Sequence, residues 1–124
     1  MSETGIIIVS HAKHLAQGLV DLISEVAKDV SITYVGSLED GSIGTSFERV
    51  EAIVSENPKE DLLAFYDLGS ARMNLEMVQD FSEKAITIVN VPFVEGTYTV
   101  VALIQAGLEK DAVLEQLKEL EIKK

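Results

Sequence analysis

Gly5-Ile6-Ile7-Ile8-Val9-Ser10-His11 decides how this chain is read. Ile6 to Val9 are four consecutive β-branched residues, the signature of a buried strand. His11 then falls at the strand's carboxyl end, just before a helix predicted to start at about Ala12. That edge is where an open α/β sheet holds its ligands.

Outward from this strand, short apolar runs alternate with 3.6-residue stripes, the pattern of βα units wound into a parallel sheet. Ala12, Leu15, Ala16, Leu19, Leu22, Ile23, Val26 and Ala27 mark the apolar face of the first helix. Ser31 to Val35 reads as a second strand. The glycine-rich loop Gly36 to Gly44 matches neither a P-loop nor a dinucleotide fingerprint. Thr45 and Glu48 have capping-box spacing, so a helix is predicted over about 46–55, burying Phe47, Val50, Ile53 and Val54. Leu62 to Tyr66 is the third strand, and the turn Asp67-Leu68-Gly69-Ser70 follows, with Ser70 as the predicted N-cap of the next helix. Met73, Met77, Val78 and Phe81 lie on that helix, and Met73 and Met77 are expected in the core. A fourth strand spans Ala85 to Val89, a helix through Val100 to Ile104 stops at Gly107, and a last helix runs from about Lys110 to Leu120. The fold class is α/β, a small doubly wound and mostly parallel sheet in the order 2-1-3-4, since crossovers are right-handed. The winding then reverses between strands one and three, at the ends that carry His11 and Asp67.

At 124 residues the chain reads as one domain, 1–124, and its 47% hydrophobic content is enough for a core. The formal net charge of −11 repels phosphate backbones, which argues against nucleic-acid binding and favours a partner with a basic face. No apolar run reaches the roughly 18 residues of a membrane span, and Met1 to Gly5 lack a signal peptide's basic flank. With no cysteine in the chain, a cytoplasmic protein without disulfides is expected.

A histidine beside a carboxylate has chemical meaning. If Asp67 accepts the Nδ1 proton of His11, the tautomer is fixed and Nε2 keeps its lone pair as a nucleophile. A phosphoryl group on Nε2 would then lie among the amino-terminal N–H groups of helices, with Gly44, Thr45, Ser46, Gly69 and Ser70 as the candidate phosphate-binding residues. Plainer readings of the same residues exist. His11 could cap a helix, Asp67 could serve an Asx-turn, and Glu95 and Gly96 fit either a site wall or a helix start. His14 follows His11 by one helical turn, but no third ligand stands at a recognised metal spacing, and it is expected on the exposed face.

Further motifs extend the comparison beyond His11 and Asp67. Ile-Val-Ser-His at 8–11, Leu15-Ala16 with Gly18, Gly44-Thr45-Ser46, Asp67-Leu68-Gly69-Ser70-Ala71 with Met73-Asn74 and Glu76-Met77, and Val94-Glu95-Gly96 closely resemble the phosphotransferase subunit of the bacterial dihydroxyacetone kinases. That family is itself similar to mannose-type enzyme IIA of the phosphoenolpyruvate-dependent sugar phosphotransferase system. The resemblance implies that His11 takes a phosphoryl group from phospho-HPr and passes it to ADP bound to the kinase's nucleotide-binding subunit. ATP is regenerated there for dihydroxyacetone phosphorylation. It also implies that Asp67 orients His11, that no cofactor or metal takes part, that the chain forms a homodimer, and that the donor is a separate protein. Val91-Pro92-Phe93 and Thr97-Tyr98-Thr99 depart from the family's pattern near the last site motif.

Three alternatives follow from the same residues. A mannose-type enzyme IIA would pass the phosphate to a sugar transporter component, and a non-catalytic module would merely hold an anion in the crevice. A receiver-like domain phosphorylated on Asp67 is disfavoured, because Ser10-His11 stands where an acidic pair would bind Mg²⁺.

Overall fold

The computed structural model describes residues 3–124. Met1 and Ser2, part of the stretch read above for a targeting signal, lie outside the described residues. The strands are Thr4–Ser10 (β1), Ile32–Gly36 (β2), Asp61–Tyr66 (β3) and Ala85–Ile88 (β4). The helices are Lys13–Ser24 (α1), Phe47–Glu56 (α2), Gly69–Phe81 (α3), Phe93–Gln105 (α4) and Lys110–Gln116 (α5). All strand pairings are parallel, and the sheet runs β2-β1-β3-β4, the order read from the sequence.

The uninterrupted apolar run of β1 is explained by layers on both sides of the sheet. Ile6 and Ile8 face a cluster with Leu19 and Ile23 of α1, Val100 and Ile104 of α4, and Val113 of α5. Ile7 and Val9 face the other side, against Val50 and Val54 of α2 and Leu75 and Val78 of α3. All four β1 side chains are fully buried. Each then contributes about 1.5 to 3 kcal/mol of hydrophobic stabilisation. With β1 held centrally, Val9 is in register with Val35 and Tyr66, so the chain emerges from β1 and β3 side by side.

Several local expectations are corrected. Met73 and Met77 are 64% and 45% exposed, not core. The face of α3 that meets the sheet is Ala71, Leu75 and Val78, and Met73 sits about 200° round the helix from Leu75. Leu15 and Leu22 are likewise exposed, because α1 buries only Ala16, Leu19 and Ile23 and ends before Val26. The cap of α2 is Ser46 rather than Thr45, its hydroxyl accepting from Arg49 N. Ser70 does not cap α3, which begins at Gly69 after Leu68 and so carries Ser70 within its first turn. The last helix breaks at Gln116 and resumes as a 3₁₀ turn over Lys118–Leu120. Among the described residues no helix is long and apolar enough to cross a membrane.

Candidate functional site

β1 ends at Ser10 and β3 at Tyr66, and the next residues of the two strands, His11 and Asp67, meet across the reversal point of the sheet. His11 Nδ1 lies 2.8 Å from Asp67 Oδ1. The second carboxylate oxygen, Oδ2, accepts from the His11 backbone N–H and from the Ser10 hydroxyl, each at 2.9 Å. Leu68 N donates to Oδ1 at 2.7 Å. Burial works to raise the Asp67 pKa, but the His11 N–H, the His11 ring and the Ser10 hydroxyl outweigh it and hold the carboxyl below its ordinary value. Ionised at neutral pH, Asp67 has no proton to offer, so Nδ1 is the donor of the pair.

In the neutral imidazole the far ring nitrogen therefore carries the lone pair. His11 Nε2 lies 2.5 Å from Ser70 Oγ in the first turn of α3, and with the Nδ1 proton facing Asp67 the hydroxyl can donate to it. Three elements thus fix one imidazole: the β1 end through its backbone, the β3–α3 turn through Asp67, and α3 through Ser70. Ser10 is held at the buried end of β1, where it also accepts from Ala12 N at 3.1 Å and shapes the entry to α1.

The other candidate residues are placed less directly. Gly44 N donates to the His11 carbonyl at 2.9 Å, and its φ of 148° favours glycine there. Thr45 Oγ1 accepts from Asn74 Nδ2 at 2.6 Å, which ties the start of α2 to α3. The Ser46 hydroxyl is engaged in capping its own helix. Gly69 opens α3 beside Ser70. His14 is exposed on α1. Gly96 is buried where α4 crosses Val91, and an added Cβ there would collide with the Val91 side chain. Glu95 is exposed in the first turn of α4.

Residues 5–114 match the family described as "PTS system fructose IIA component". The chain belongs to that family. It is 52% identical over 97% of its length to "PTS-dependent dihydroxyacetone kinase, phosphotransferase subunit DhaM" of Lactococcus lactis, covering 98% of that protein. It is 46% identical to "PEP-dependent dihydroxyacetone kinase 1, phosphoryl donor subunit DhaM" of Listeria innocua, over 96% of each chain. Among solved structures it resembles a protein of unknown function, EF1359, with a TM-score of 0.84 and 25% identity over 97% of this chain and 96% of that one. The dihydroxyacetone kinase subunit resemblance drawn from the motifs is thus shown across nearly the whole chain.

Ser10 and Asn74 stand in the motifs above without an assigned role and Asn90 stands in none of them, yet each ties down a part of the site. Asn90 accepts from the Tyr66 hydroxyl, bracing the end of β3 against the end of β4.

Proposed function

We propose that the chain is a phosphohistidine carrier of a phosphoenolpyruvate-dependent dihydroxyacetone kinase system. His11 Nε2 attacks the phosphorus of phosphohistidine on HPr as the donor N–P bond breaks. The terminal phosphate oxygen of ADP, held by the kinase's nucleotide-binding subunit, then attacks in turn. The N–P bond at His11 breaks, a P–O bond forms, and the imidazole recovers its lone pair. The carrier reaction needs no net proton transfer at Nε2, so Asp67 can hold the Nδ1 proton throughout. The relatives named as dihydroxyacetone kinase phosphotransferase and phosphoryl donor subunits support this reading.

One observation carries it: the ionised carboxylate on Nδ1 leaves Nε2 as an acceptor at the first turn of α3. A phosphoryl group there would meet the Ser70 hydroxyl and the first N–H groups of α3 at Gly69 and Ser70, which have no acceptor within their own helix. Gly44 holds the loop against His11 through its N–H to the His11 carbonyl, Thr45 ties that loop to α3 through Asn74, and Ser46 caps α2. Transfer then rests on placement and anion donors. The description of the family as a sugar phosphotransferase component favours a second reading, in which the acceptor is a transporter subunit.

Incubation with phosphoenolpyruvate, enzyme I and HPr is expected to add one acid-labile, base-stable phosphate, found on His11 by mass spectrometry. His11→Ala should keep its fold and take up none. A chain that acquires no covalent phosphate is an anion-binding module, and a fully loaded His11→Ala variant moves the chemistry elsewhere. Chasing the labelled carrier with ADP and the nucleotide-binding subunit, or with a transporter subunit, separates the two acceptors.

A further inference from the structure

The half-buried side chain of Lys124 reaches back into the carboxyl edge of the sheet, where β3 ends and the β4–α4 connection begins. Its ammonium donates to the Tyr66 carbonyl at 2.6 Å and to the Val91 carbonyl at 2.5 Å. It stands 4.2 Å from the centroid of the Tyr66 ring and 5.9 Å from that of Phe93. Ile122 N donates to the Asn90 carbonyl at 2.9 Å, which lays the segment leading to Lys124 along the β4–α4 connection. These contacts recruit the last carbonyl of β3 and a carbonyl of the loop after β4 to one cation. A strand's terminal carbonyls have left the ladder, and an ammonium with three donors satisfies two of them at once.

The position matters because Tyr66 is the residue before Asp67. Any shift of the Tyr66 carbonyl rotates the peptide that carries Asp67, and with it the carboxylate that holds His11 Nδ1. The aromatic faces of Tyr66 and Phe93 favour a cation at this spot over an apolar side chain of the same length. Lys124 and Asp67 also lie in each other's field. Burial lowers the ammonium's pKa, and the Asp67 carboxylate opposes that shift.

Resting on the phosphocarrier reading above, we infer that Lys124 is a positioning residue for phosphoryl transfer. It clamps the β3–α3 and β4–α4 connections together and thereby holds Asp67 in line with His11 Nδ1. It touches neither the phosphoryl group nor His11, and it acts through the Tyr66–Asp67 peptide. A displacement of about 1 Å in such a support is enough to slow a transfer by tens of fold.

The test compares wild type, Lys124→Met and Lys124→Arg in the full chain, each charged with phosphoenolpyruvate, enzyme I and HPr. ¹⁵N spectra of the His11 ring are recorded on the uncharged proteins. Methionine preserves length and packing but removes the charge and all three donors, whereas arginine keeps both. Lys124→Met is expected to charge His11 ten- to a hundredfold more slowly, with its Nδ1 and Nε2 signals moved toward the average of mixed tautomers. Lys124→Arg is expected to recover most of the rate and the wild-type signals. Equal charging by wild type and Lys124→Met overturns the inference. So does a slow Lys124→Met whose ring signals are those of wild type, because the lysine would then be meeting the partner and not the dyad. If Lys124→Met does not fold, Lys124→Gln replaces it, and wild-type rate and ring signals in Lys124→Gln overturn the inference in the same way. Failure of the wild-type chain to charge at all is a separate result, and it removes the phosphocarrier reading itself.

Discussion

Asp67 Oδ1 and Ser70 Oγ hold opposite edges of the same imidazole, at 2.8 Å from Nδ1 and 2.5 Å from Nε2 of His11. The two contacts differ in kind. Asp67 is fixed by three further hydrogen bonds, from Ser10, His11 N and Leu68 N, whereas Ser70 is exposed and its hydroxyl has no other hydrogen bond among the described residues. One side of the ring is locked, and the other can exchange a hydroxyl for a phosphoryl group.

Ser70→Ala tests the mobile side. Losing one hydrogen bond of about 1 kcal/mol should slow charging of His11 by roughly fivefold without abolishing it. Because Ser70 is exposed, the unfolding free energy from urea denaturation should change little, by within about 0.5 kcal/mol. A complete loss of phosphate uptake in a folded Ser70→Ala protein would make the serine the acceptor and contradict the assignment of Nε2.

Asp67→Asn tests the locked side, and its effect depends on pH in a definite direction. The amide keeps the volume but turns one oxygen that receives the Ser10 and His11 donors into a donor itself, or leaves the His11 ring facing an NH₂ group. Either way buried donors lose their acceptor, at about 1 to 3 kcal/mol. In the wild type the folded-state pKa of Asp67 is depressed below 3.8. The carboxylate's contribution is therefore fully present above the unfolded-state value of about 3.9 and is lost as pH falls through the folded-state pKa. Urea denaturation should show wild type more stable than Asp67→Asn at pH 6, with the gap closing below about pH 4. A gap that stays constant down to pH 2 would mean that the charge on Asp67 does not stabilise the fold.

The parts of this site that were legible in the sequence are those whose signal is local. Ile6 to Val9 could only be a strand with both faces covered, and the right-handed crossover rule then placed His11 and Asp67 at one edge. Polar residues whose partners lie far along the chain left no such mark. Ser10 and Asp67 are 57 positions apart and Lys124 and Tyr66 58, so nothing in local spacing announces either contact. The misreading of α3 has a different origin. Its sequence carries two apolar stripes, Ala71-Leu75-Val78 and Met73-Met77-Phe81, and periodicity alone does not say which one meets the sheet.

Asn57→Ala separates stability from chemistry. The side chain is buried at the edge of the sheet opposite the site, where Nδ2 donates to the Ile6 carbonyl at 3.1 Å and Oδ1 accepts from Lys59 N at 3.1 Å. It thereby pins the entry to β3 beneath β1. Truncation leaves a buried carbonyl without its donor and should reduce stability by about 2 to 3 kcal/mol. Charging of His11 below the melting transition should be unchanged, since no contact links Asn57 to the dyad. A protein as stable as wild type would show that water replaces the amide without loss.

Gly96→Ala sets two effects of opposite sign against each other. Within α4 an alanine is favoured over glycine by about 1 kcal/mol on helix propensity alone. Its Cβ, however, would enter the space of the fully buried Val91 side chain, and overpacking of that kind costs about 1 to 3 kcal/mol. The Val91 carbonyl also receives Lys124, so Val91 has little room to withdraw. The clash should win, giving a net destabilisation of about 1 kcal/mol or more by urea denaturation. The same strain should slow His11 charging, because Val91 and Tyr66 share the Lys124 clamp. Combining Gly96→Ala with Val91→Ala removes the Val91 Cγ2 but leaves its Cβ at 2.5 Å from the added Cβ, so it should recover only part of the stability lost in Gly96→Ala alone, a coupling that independent sites would not show. If Gly96→Ala proves more stable than wild type, α4 and the β4–α4 connection are looser than the close packing at Gly96 requires.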